Sequence, residues 1–93
     1  MIIKREMTIT HADFFRLLPK ALHGYSYEQS ENAVRVTIER GSLVIHIAPE
    51  QRRKAGALDL PITQLSLDFD NTDNAARRKF LEQFDMTYHR GGG

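Results

Sequence analysis

The chain has no cysteine, and none of its apolar runs approaches the length of a membrane span. Without cysteine, disulfide bonds, thiol catalysis and thiolate metal ligands are all excluded. The amino terminus carries Lys4, Arg5 and Glu6 where a signal peptide would be apolar. The sequence therefore predicts a cytoplasmic protein that is neither secreted nor embedded in a membrane.

The net charge is also close to zero, because the chain has 13 basic and 12 acidic residues. A formal net charge of +1 generates no global field that would attract nucleic acid or an anionic membrane. Any such binding requires a local patch. We expect no membrane partner.

The size and composition indicate one folded unit, with 93 residues, 41% hydrophobic and 27% charged. We expect an amino-terminal arm or edge strand over residues 1–9, a single α+β domain over 10–89 and a flexible glycine-rich tail over 90–93. Ile3, Met7 and Ile9 share one parity, which favours the strand. Either Met1 or Met7 is compatible with the native start.

A first amphipathic helix is predicted after Thr10, which with Asp13 approximates a capping box. We expect Pro19 to kink or break this helix, because proline lacks the amide hydrogen that a helix needs, and Gly24 to end it. Its apolar residues recur at helical spacing: Phe14, Leu17, Leu18, Ala21 and Leu22.

A second helix is predicted after residues 70–73, which are rich in N-cap residue types. Its buried stripe is Ala76, Phe80 and Phe84, and its predicted end lies near Asp85. Residues 86–90 then form a short final strand or leave the domain, and the alternation of Met86 with Tyr88 is too short to decide.

Two runs of alternating residues around Arg40-Gly41 predict a β-hairpin. With Arg40 and Gly41 as the central turn residues, residue i faces residue 81 minus i. In this register each apolar residue on one face of the first strand lies opposite an apolar residue of the second strand. The three predicted pairs are Ile38 with Leu43, Val36 with Ile45 and Val34 with Ile47.

Two further strands are predicted, over 25–28 and over 61–69, with a loop over 49–57. The resulting fold class is α+β, with a largely antiparallel sheet of about four strands and both amphipathic helices packed on one face. One sheet face stays open to solvent.

A candidate anion or partner site follows from this register. Arg35 lies across from His46 on the open face, and Asp68 has the matching parity on the next strand. If these strands are neighbours, the three side chains form a site for an anion or a proton transfer. The simpler interpretation is an ordinary solvated sheet face.

Arg52, Arg53 and Lys54 form a basic triplet that can contact phosphates. Single-stranded nucleic-acid sites usually interleave aromatic side chains with basic ones, and the predicted open face has none unless the tyrosines of the 25–28 strand point outward. Nucleic-acid binding is therefore an alternative to a protein partner.

Catalytic, cofactor and metal motifs are not found. No Gly-x-Ser-x-Gly elbow or glycine-rich phosphate loop occurs, so we expect no enzyme and no cofactor. We also expect no native metal, since zinc wants three or four convergent ligands and the histidines are scattered. These histidines are His11, His23, His46 and His89.

The ending Arg90-Gly91-Gly92-Gly93 resembles the diglycine terminus of ubiquitin-like sulfur carriers. The resemblance covers these four residues alone and implies carrier chemistry at Gly92 and Gly93. Such carriers have the β-grasp order of two strands, a helix and further strands. The order predicted here is a helix, three strands, a loop, a fourth strand and a helix, with possible strands at both ends. The leading hypothesis is a non-enzymatic module that binds a partner or an anion.

Overall fold

The computed structural model describes residues 1–91. Six strands and two helices follow one another along the chain, and they are numbered in chain order. They are β1 (Ile2–Met7), α1 (His11–Ala21), β2 (Ser26–Gln29), β3 (Ala33–Ile38), β4 (Gly41–Ile47), β5 (Gln51–Ala55), β6 (Leu58–Asp70) and α2 (Asn74–Gly91).

The strands form one antiparallel sheet in the order β1-β6-β4-β3-β2, and β5 pairs with the first part of β6. This confirms the predicted α+β class with an antiparallel sheet and two helices. Six strands are present instead of about four, because residues 2–7 pair with β6 and part of the predicted loop 49–57 is a strand.

Both helices pack on the same sheet face and enclose the hydrophobic core. Phe14 and Leu18 of α1 and Phe80 and Phe84 of α2 are fully buried against the apolar residues of β3, β4 and β6. The periodic apolar stripes therefore predicted the buried faces correctly. The opposite sheet face carries the alternate, mostly polar residues of each strand.

The β3–β4 hairpin has a different register from the one predicted. Val36 faces Leu43 and Ile38 faces Gly41, so the turn residues are Glu39 and Arg40. The slip is two residues, which leaves every side chain on its predicted face because side chains in a strand alternate with a period of two.

Gly41 explains this register. A Cβ at this position would lie 2.2 Å from the backbone oxygen of Asn71, so the glycine allows the start of β4 to approach the end of β6. Glu39 takes the positive φ of the turn, at 51°, where glycine had been expected. The glycine is thus required beside the turn and not inside it.

The predicted loop over 49–57 instead contains β5, which corrects that expectation. Ile47 faces Leu65 and Gln51 faces Ile62, so β5 continues β4 along β6 after one extra residue, as in a β-bulge. Gly56, with φ of 63°, closes the turn. All five residues of β5 are exposed, so this hairpin arm depends on backbone pairing more than on burial.

The helix boundaries agree with the sequence at three of their four ends. The Thr10 side chain accepts from the Asp13 amide at 3.1 Å and caps α1, which continues through Pro19 to Ala21. The predicted break at Pro19 is absent, since α1 is one helix with Pro19 inside it. Helix α2 begins close to its predicted N-cap, where the Asp73 carboxylate accepts from the Ala76 amide.

Helix α2 does not end near Asp85, and residues 86–90 form neither a strand nor an extended exit. Tyr88 lies four residues after Phe84 and extends the buried stripe by one turn, and its hydroxyl donates to the Phe14 carbonyl at 2.9 Å. The helix continues to Gly91. Of the predicted tail, Gly92 and Gly93 lie outside the described residues.

Candidate functional site

The open sheet face places three polar side chains in a row across three strands. Lys4 of β1 faces Ser66 of β6, which in turn faces His46 of β4. Neighbouring strands lie about 4.8 Å apart, so Lys4 and His46 flank Ser66 at roughly that distance on either side. The row ends at Ala33 of β3, whose small side chain leaves His46 accessible.

This row lies in a groove with a volume of ≈ 590 Å³. The groove opens on the side of the sheet that the helices leave uncovered. Its polar side chains come from β1, β4, β6 and the β2–β3 turn, and they are Lys4, Glu6, Asn32, His46, Gln64 and Ser66.

The one acidic side chain among those polar groups is already neutralised. The Glu6 carboxylate accepts from Arg53 at 2.8 and 3.3 Å and from the Gln64 amide at 3.2 Å. These hydrogen bonds, chiefly those from Arg53, hold the pKa of Glu6 below its ordinary value. Lys4, in contrast, has no ion pair among the described residues. The groove therefore retains the positive charge of Lys4.

The predicted anion site, Arg35, His46 and Asp68, shares the open face but is not one cluster. Arg35 and Asp68 lie on either side of Val44, so two strand spacings, roughly 10 Å, separate them. The predicted opposition of Arg35 and His46 is wrong, because the true register places Val44 across from Arg35. Of the three residues, His46 lines the large groove.

Arg35 and Asp68 each have another charged neighbour. Arg35 faces Glu28 on β2 and lines a separate, smaller groove of ≈ 170 Å³. Asp68 lies 3.9 Å from the amino-terminal ammonium of Met1. Within the described residues, no hydrogen bond or ion pair joins Arg35, His46 and Asp68 to one another.

The basic triplet belongs to the exposed β5 arm, where strand geometry separates its side chains. Arg53 is bound to Glu6, and Arg52 and Lys54 have the opposite parity. Lys54 also faces Asp59 across the hairpin. The three residues thus form no single basic patch, and no aromatic residue lies in β5 or in residues 58–62 of β6, which pair with it.

Metal-ligating side chains do not converge in the part of the chain that the structure describes, where no group of three His, Asp or Glu could hold an ion. In the same residues no helix is both long and apolar enough to cross a membrane. The observed element order starts with one strand and a helix and ends with a helix, which differs from the β-grasp order of sulfur carriers.

No protein-family model, curated protein or solved structure matches this chain. The groove must therefore be interpreted from its own chemistry. It offers an ammonium group, a hydroxyl, an imidazole and two amides on a rigid sheet, which can donate several hydrogen bonds to one acceptor group.

Sequence reasoning missed Lys4, Gln64 and Asn32 and noted Ser66 only for its parity. Lys4 and Ser66 are 62 positions apart in the sequence, and nothing local indicates that β1 pairs with β6. The alternation of β1 did predict that Lys4 and Glu6 share a face. The sequence pattern did not reveal which strand lies next to β1.

Proposed function

We propose that this protein is a non-enzymatic binding module whose open sheet face holds the anionic group of a ligand or partner protein. The side chains that would contact the anionic group are those of Lys4, Ser66 and His46, and Gln64 and Asn32 lie at the borders of the groove. The proposal keeps His46 from the sequence-based site and replaces its two charged neighbours.

The observation that carries the proposal is the charge of the groove. Glu6 is neutralised by Arg53, whereas Lys4 has no ion pair among the described residues, so a negatively charged group gains a favourable contact there. The ammonium, hydroxyl and imidazole groups are the donor types that bind carboxylates and phosphates. A volume of ≈ 590 Å³ suits a small molecule or a few residues of a peptide.

Binding is favoured over nucleophilic catalysis by the surroundings of Ser66. Ser66 and His46 are cross-strand neighbours, but no hydrogen bond joins them among the described contacts, and no carboxylate orients His46. An activated serine needs a base within hydrogen-bond reach and a third group that holds the base. The row therefore offers donors without an activated nucleophile.

Titration with inorganic phosphate at constant ionic strength, followed by ¹H–¹⁵N NMR, tests the proposal. We expect saturable shifts at Lys4, Ser66 and His46. Lys4→Gln should weaken binding about fivefold or more, in keeping with the loss of one charge-assisted hydrogen bond.

Arg35→Gln is the matched control, since it removes the same charge from the same sheet face outside the groove. It should leave the affinity for phosphate within about twofold of that of the unmodified protein, because an exposed charge outside the groove is largely screened by solvent and salt. Equal losses in Lys4→Gln and Arg35→Gln, or shifts that avoid the groove, would refute the proposed site.

A further inference from the structure

The outer edge of β1 presents unpaired backbone groups. Met1 and Phe69 exchange two backbone hydrogen bonds, at 3.1 and 2.8 Å, and bonded pairs alternate with non-bonded pairs along an antiparallel ladder. The amide and carbonyl groups of Ile2, Lys4 and Glu6 therefore point away from β6. No strand among the described residues covers this edge.

This outward set restricts how a second copy of β1 can pair with the first. In an antiparallel pair, an outward-pointing residue must face another outward-pointing residue, so the two residue numbers add to an even total. A total of ten places Lys4 opposite Glu6 of the second copy, twice by symmetry, and Ile3 opposite Met7 of the second copy, also twice. Opposite charges meet at Lys4 and Glu6 and apolar groups meet at Ile3 and Met7, whereas Arg5 faces its own symmetry copy.

The neighbouring registers are unfavourable. A total of eight places Lys4 opposite itself, and a total of twelve places Glu6 opposite itself. Like charges directly across a strand pair are destabilising. The sequence of β1 is thus self-complementary in one register.

Two grooves on the helix side of the edge fit the same register. The first, of ≈ 540 Å³, includes Ile3 and Leu81, and the second, of ≈ 450 Å³, includes Met7 and Tyr88. The register brings Met7 of the second copy to the first groove and Ile3 of the second copy to the second groove. Each apolar side chain therefore meets apolar groups of the facing copy, beside charged residues that also line the grooves, among them Arg78, Glu82 and Asp85.

Arg5 lies between these grooves, where it would face Arg5 of the second copy at the two-fold axis. A charged residue on the buried side of an edge strand usually discourages pairing. Here Asp85 binds the Arg5 guanidinium at 2.9 and 3.2 Å, so the cluster at the axis would contain two acids and two bases. Its net charge is zero.

We propose that two copies of this chain pair antiparallel through β1, in the register that opposes Lys4 to Glu6, and form one continuous sheet. Facing residues have the same parity, so both helix layers lie on one side and both anion grooves lie on the other. The proposal does not rest on anion binding, although Lys4 belongs to both surfaces, and Glu6 would be shared between Arg53 of its own chain and Lys4 of the second copy.

Sedimentation equilibrium over about 5–200 µM protein measures the association, since dimer population depends on concentration. We expect a dimer of the 10.7 kDa chain. K4E and E6K should each weaken association roughly tenfold or more, because each reverses two symmetric cross-strand pairs. The double variant K4E/E6K should regain the dimer.

An equimolar mixture of K4E and E6K should form a heterodimer that associates more tightly than either variant does alone. Arg35→Glu is the control, because it reverses a charge on the same face away from the edge, and circular dichroism checks that each variant is folded. A monomer at the highest concentration, or no recovery in the double variant, overturns the proposal. Species larger than a dimer would overturn it too, because they indicate head-to-tail pairing of β1 with β2.

Discussion

Replacing Gly41 with alanine tests the contact that fixes the β3–β4 register. The added Cβ would lie 2.2 Å from the Asn71 backbone oxygen and 2.4 Å from that of Asp70, whereas ordinary contacts begin at 3.4 Å. Backbone oxygens cannot rotate away as a side chain does. The end of β6 must therefore move by roughly 1 Å, or β4 must shift away from it.

The cost follows from this displacement. Overpacking costs about 1–3 kcal/mol. The movement also strains the hydrogen bond that the Asn71 side-chain amide donates to the Arg40 carbonyl, which costs roughly 1 kcal/mol more. We expect a loss of about 3 kcal/mol in the free energy of unfolding. Gly41 is not among the residues with positive φ. Without the close contact, the same substitution would stabilise the protein by about 0.4–1 kcal/mol.

Urea unfolding followed by far-ultraviolet circular dichroism measures the difference. With a slope of about 1.5 kcal/mol per molar urea, the midpoint should fall by roughly 2 M. Gly24→Ala is the comparison, because its added Cβ would have no atom within 4 Å. Its only expected cost is the backbone strain of alanine at a φ of 91°. That strain costs about 1–2 kcal/mol. A midpoint for Gly41→Ala at or above that of the unmodified protein would refute the argument.

Two further predictions concern single hydrogen-bonding groups. Tyr88→Phe removes the hydroxyl that donates to Phe14, and should cost about 1 kcal/mol in a thermal melt. Because burial raises the pKa of Tyr88, stability is complete below about pH 10 and falls as the pH rises further, and the variant should lose less stability above that pH than the unmodified protein. Arg53→Gln should let the pKa of Glu6 rise towards its ordinary value, as read from carboxyl-carbon NMR, whereas Arg52→Gln should not change it. Since the pKa of Glu6 is lowered in the folded state, the contribution of this pair is present at neutral pH and is lost in acid.

The errors in the sequence-based fold have separate physical causes. Strand β5 has no apolar alternation because both of its faces are exposed, so only its pairing with β6 identifies it. The extension of α2 was readable, since Tyr88 continues the four-residue spacing of Phe80 and Phe84. Gly41 was assigned to the turn because glycine often supplies a positive φ, whereas here it allows a close approach of two backbones.

By itself the sequence determined the two helices, the antiparallel hairpin and the faces on which the residues of β3 and β4 lie, because these depend on the local period of apolar side chains. Only the tertiary structure decided which polar residues meet. Strand order placed Lys4 beside Ser66, and the pairing of β4 with β6 placed His46 opposite Ser66. A two-residue slip in the β3–β4 hairpin placed His46 away from Arg35. Side-chain parity is unchanged by such a slip, whereas cross-strand neighbours depend on the long-range backbone pairing that sets the register.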